Sequence, residues 1–174
     1  MFKRNIEQEL ALYEADETGS YNGLILFMII NSFSKCTLDQ LSYAFYLVRF
    51  TKVLSRLLNE IERERFLEYI PEWELRNLDS ILSPYIIQKY DRRFVRGLKE
   101  LLARSLVKIE GEFVSVALRA AIPLENDSFR IIRHKAVFAC TVIRRYELSQ
   151  LQTKIYQAIG EEQWENLYIS TELR

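Results

Sequence analysis

The side chains that could do chemistry in this chain are few and badly spaced for it. There is one histidine, His134, between Arg133 and Lys135. Two neighbouring cations lower its proton affinity. No serine or cysteine stands in a motif that pairs with it, and nucleophilic catalysis needs that pairing. His134 therefore reads as a surface histidine. The two cysteines, Cys36 and Cys140, lie in apolar stretches and read as buried free thiols of a reducing compartment. A structural zinc site takes four Cys/His ligands, and no such cluster exists. Glu60 and Glu64 share a helix face at i, i+4, with Glu62 and Glu68 nearby. No Lys or His motif supports them as a metal-dependent nuclease would require, so they read as a solvated face or an acidic docking strip. The five glycines form no phosphate loop. No catalytic residue, metal or cofactor is assigned, and the chain is expected not to be an enzyme.

The basic residues are more informative. Between Lys89 and Lys108 there are seven Lys/Arg against two acidic residues. Phe94, Val95, Leu98, Leu101 and Leu102 fall on one helical face, and Arg92, Arg93, Arg96, Lys99, Glu100 and Arg104 on the other. Arg92, Arg93, Arg96, Lys99 and Arg104 are thus the candidate contacts to DNA or to an acidic partner surface. A second cluster, Arg130, Arg133, His134 and Lys135, extended by Arg144 and Arg145, reads as the basic ends of a buried helix.

The elements that position these residues are mostly helical. Tyr21–Ser34 is apolar all round and predicts a central helix. Thr37-Leu38-Asp39-Gln40 has the pattern of a capping box opening a helix to Val48. Thr51–Tyr69 continues helical, Pro71 interrupts, and Trp73–Leu82 resumes. Ser83-Pro84 starts a short helix over Tyr85–Tyr90. Asp91 caps the basic helix, which runs to about Ser105. Leu106–Glu110 and Glu112–Val116, joined at Gly111, predict a β-hairpin. Ser128 caps a helix to Arg145. Leu148–Ile159 predicts another, with Gly160 as its C-cap.

The fold class expected is mainly α: a helical protein with a winged-helix-like segment over Ser83–Val116, helix-turn-helix plus two-stranded β-hairpin. The organisation expected is an N-terminal arm over 1–20, one helical domain over 21–160 and a C-terminal tail helix over 161–174. The 174 residues suffice for a core, with 49% hydrophobic and 13% aromatic residues. Lys plus Arg and Asp plus Glu are 24 each, so any pull on nucleic acid must come from local patches. The longest apolar run, Leu24–Ile30, is too short to span a bilayer, and Met1–Tyr13 lacks the apolar stretch of a signal peptide. A cytoplasmic chain without membrane contact is the expectation. A neutral, aromatic-rich chain of this size also suggests a subunit.

Three stretches carry a family resemblance. They are Tyr21-Asn22-Gly23-Leu24-Ile25-Leu26-Phe27 followed by Leu41–Val48; Arg93–Leu102 followed by Leu106–Phe113; and Lys135-Ala136-Val137-Phe138 followed by Ile155–Gly160. Together they resemble the small middle component of bacterial ABC three-component systems, the class that includes Lamassu-type antiphage and antiplasmid defence. Family members often carry a proline and a histidine where Leu47-Val48-Arg49-Phe50 stands here. The resemblance implies a non-enzymatic accessory subunit between an SMC-like coiled-coil ATPase and an effector nuclease. Such a subunit would help couple DNA sensing to effector control. On this reading Tyr21, Phe27, Phe45 and Trp164 are candidate partner contacts, and double-stranded DNA is a further candidate partner. The alternative is a stand-alone winged-helix DNA-binding transcriptional regulator.

Overall fold

A computed structural model describes residues 18–76, 91–117 and 126–172, with side chains as far as Gly160. The described residues form eight helices and three strands, in the order α1 (Gly19–Phe33), β1 (Lys35–Thr37), α2 (Leu38–Arg49), α3 (Thr51–Leu57), α4 (Glu60–Tyr69), α5 (Glu72–Leu75), α6 (Arg92–Ala103), β2 (Val107–Glu110), β3 (Phe113–Val116), α7 (Asp127–Arg145) and α8 (Leu148–Glu172). The chain is mainly helical, as expected, and the β-hairpin lies where Gly111 placed it, with that glycine at φ +64°.

The sheet holds one strand more than the sequence suggested. Its order is β1-β3-β2, antiparallel throughout. Cys36 pairs with Val114 and Ile109 with Val114 on the other side. Three residues, Lys35-Cys36-Thr37, are too short a run to announce a strand by alternation. Their pairing changes the reading of the winged segment. Helix, strand and helix (α1, β1, α2) precede, and helix, strand and strand (α6, β2, β3) follow. The first strand closes onto the hairpin. This is the order of a winged helix whose second and third helices are separated by residues 50–90. The expected segment, Ser83–Val116, was therefore too narrow, and the helix expected at Tyr85–Tyr90 lies outside the described residues.

Local chemistry explains the boundaries. The Thr37 hydroxyl accepts from the Gln40 N–H at 3.1 Å and the Gln40 side chain accepts from the Thr37 N–H at 3.0 Å. This is the reciprocal capping box. An Asp91 carboxylate oxygen accepts from the Phe94 N–H at 2.7 Å and opens α6. A second capping box, Asn59 with Glu62, splits the helix expected over Thr51–Tyr69 into α3 and α4. The cap of α7 is Asn126 rather than Ser128. Gly160 does not end a helix: α8 runs through it to Glu172, a position a helix tolerates at about 1 kcal/mol relative to alanine.

The core forms around α1, whose Leu26, Ile29 and Ile30 are fully buried. The α6 helix approaches α1 through two glycines. A Cβ on Gly97 would lie 2.7 Å from the Asn22 carbonyl carbon and 2.8 Å from the Gly23 nitrogen. Edge-on aromatic contacts add Phe45 against Phe94 (5.8 Å between centroids) and Phe66 against Phe138 (5.2 Å). Cys36 and Cys140 are buried free thiols, and burial pushes both up to about 12. No described helix is long and apolar enough to cross a membrane.

Candidate functional site

The most polarised element is α6. Phe94, Gly97 and Leu101 are buried against α1, which turns Arg92, Arg96 and Lys99 outward, all exposed. The expected apolar face was drawn too wide. Val95 (37% exposed) and Leu102 (39%) belong to the outer surface, because the helix packs on a narrow stripe centred on Gly97. The outer face thus alternates three cations with two aliphatic side chains. Arg104 is occupied: its guanidinium binds the Glu100 carboxylate at 2.7 Å. The base of α6 is anchored to α2 by Arg49–Asp91 at 2.8 Å.

The hairpin beside α6 carries Glu110 and Glu112 around its turn. Hydrogen bonding from Lys108, with its positive charge, holds the Glu110 carboxyl below its ordinary range. Phe113, 38% exposed, lies under the Lys35 ammonium at 4.4 Å.

Arg93 points elsewhere. It is half-buried and lines a cleft of about 350 Å³ among α1, α2, α5, α6 and α7, together with Tyr21, Arg49, Trp73, Glu74 and Lys135. The structure therefore joins two residues the sequence left in separate groups, Tyr21 and Arg93. It adds Lys135, only 6% exposed, whose ammonium meets Glu74 Oε2 at 2.9 Å and Thr51 Oγ1 at 3.4 Å. Nothing in the local sequence of Lys135 pointed to this, since its partner lies 61 residues away.

Phe27 and Phe45 are not surface contacts. They are 4% and 3% exposed and belong to the core, Phe45 against Phe94, so neither has a face to offer a partner. Tyr21 is 40% exposed. The Trp164 side chain lies outside the described residues.

The second basic cluster is largely engaged within the fold. Arg130 pairs with Asp127 and Arg145 with Glu62. Arg144 donates to the Ser32 carbonyl at 2.9 Å. At Glu62, burial pushes the carboxyl up, but the Arg145 and Asn59 hydrogen bonds outweigh it and leave it low. His134 stacks on Tyr69 with centroids 4.2 Å apart. Burial, then Arg133 and Arg130, lower its proton affinity. Exposed Trp73 (64%) and Tyr69 (52%) line a groove with His134, one the sequence reading did not identify.

No protein-family model, no curated protein and no solved structure matches the chain.

Proposed function

We propose that this chain is a non-catalytic accessory subunit of an SMC-like ATPase defence complex. It bridges the coiled-coil ATPase and an effector nuclease, and helps couple DNA sensing to effector control in antiviral and antiplasmid immunity. Beyond the resemblance, the observation that carries a binding role is the outer face of α6, where Arg92, Arg96 and Lys99 interleave with exposed Val95 and Leu102. Interleaved cations and aliphatics suit an acidic, amphipathic protein surface, because apolar contact supplies affinity and charge supplies register.

The same face supports a second reading, a stand-alone winged-helix regulator that presents its third helix to a DNA groove. Three outward cations favour phosphate contact. Glu112 at the hairpin turn opposes it, since phosphates would meet a carboxylate there beside the Lys108–Glu110 pair, and Arg104 is already neutralised by Glu100.

Expression of the tagged chain with its native gene neighbours, followed by purification and sizing, separates the two. The accessory-subunit reading expects a stoichiometric coiled-coil ATPase in the eluate. A lone dimer that binds duplex DNA with steep salt dependence would overturn it in favour of the regulator.

A further inference from the structure

The α4 helix holds to the fold by a narrow edge. Phe66 is its buried residue, set edge-on against Phe138, and Glu62 ties it to Arg145. The opposite face is open. Glu60, Glu64 and Glu68 stand at i, i+4 and i+8 and share that face, all exposed. Beside them two aliphatic side chains reach solvent, Ile61 (65% exposed) and Leu67 (44%). Arg63 and Arg65 flank the stripe. The result is an acidic amphipathic surface.

The outer face of α6 is its counterpart. Arg92 and Lys99 are exposed there, and Val95 (37%) and Leu102 (39%) stand beside them. The lengths match. Glu60 to Glu68 spans about 12 Å, and Arg92 to Lys99 about 10.5 Å, at a helical rise of about 1.5 Å per residue. None of Glu60, Glu64, Glu68, Arg92 and Lys99 has an ion-pair partner among the described residues. Zero net charge also removes the overall repulsion that keeps like molecules apart.

We propose that α4 of one copy of this chain docks on the outer face of α6 of a second copy. Opposite charges steer the encounter and set the register, and the four aliphatic side chains supply apolar burial. Each copy carries both faces and exposes both, so the contact forms between copies and not within one. Nothing in this pairing depends on the partner proposed above for the α6 face; such a partner would displace the second copy.

The test is sedimentation velocity of the isolated full chain from about 10 µM to about 1 mM, the range suited to a small, transient interface. The parent is expected to associate with rising concentration. Two variants separate the faces: Glu60→Gln, Glu64→Gln, Glu68→Gln keeps only the α6 face, and Arg92→Gln, Lys99→Gln keeps only the α4 face. Each alone is expected to stay monomeric with an unchanged thermal melt, because every site is exposed. Their mixture is expected to associate again, as a 1:1 pair. Ile61→Ser is expected to weaken the parent's association about fivefold, since that side chain leaves water on docking. Glu112→Gln, Glu147→Gln changes net charge elsewhere on the surface and is expected to associate as the parent does. A parent that stays monomeric to about 1 mM, either face variant associating at parent strength, or a mixture that stays monomeric would each overturn the proposal. Loss of association in the Glu112, Glu147 variant would assign the effect to net charge and overturn it as well.

Discussion

At the scale of single residues, the tightest constraint is a hydrogen atom. Gly97 faces Asn22 and Gly23 so closely that any Cβ would press on backbone, 2.7 Å from a carbonyl carbon. Backbone cannot rotate away as a flexible side chain does, so α6 would have to back off α1. Gly97→Ala should therefore destabilise the chain by about 1–3 kcal/mol despite the better helix propensity of alanine, measured by urea denaturation. His134 makes a second residue-scale prediction. Burial and the neighbouring arginines favour its neutral form in the native state, below the ordinary value of 6.5. As pH falls below 6.5 the unfolded chain binds more protons at this site than the native chain does, and stability declines with falling pH. His134→Phe, which keeps a ring against Tyr69, should flatten the pH dependence of the denaturation midpoint as pH falls below 6.5. An unchanged slope would remove His134 as its source.

At the scale of elements, much of the fold was legible because its signals are local. Thr37 with Gln40, and Asp91 three residues before Phe94, are hydrogen bonds between near neighbours, and sequence spacing alone specifies them. Thr37→Ala should cost about 1 kcal/mol, and Thr37→Ser should restore most of it. The third strand, the pairing of α1 with α6 and the salt bridge of Lys135 with Glu74 were not legible, because each joins residues far apart in the chain. The width of the apolar stripe on α6 was misread for the same reason. Gly97 sets how α6 rotates against α1, and only the partner helix reveals that Val95 and Leu102 end outside. Since both are exposed, Val95→Lys together with Leu102→Glu should leave stability within about 0.5 kcal/mol of the parent. A large loss in thermal unfolding would return these residues to the core.

At the scale of the whole molecule, the described elements follow the order of a winged helix interrupted by residues 50–90, which include α3, α4 and α5. The α1, β1 and α2 elements lie on one side of these residues in sequence, and α6, β2 and β3 on the other. Arg49–Asp91 and Phe45–Phe94 tie the two halves together across them. This arrangement leaves the outer face of α6 free of the core while its inner face is fixed, the geometry of a docking element on a rigid scaffold. Net charge is zero, so in the proposed complex attraction to a partner would have to come from a local patch such as that face. Association through it should weaken with salt, because exposed charges are screened within about 8 Å at physiological ionic strength.

The most direct measurement is co-purification of the Arg92→Glu, Arg96→Glu, Lys99→Glu triple variant with the native gene neighbours, beside a thermal melt of the isolated chain. An unchanged melt and loss of the coiled-coil ATPase from the eluate are expected. A folded triple variant that retains the ATPase at the parent's stoichiometry would contradict it.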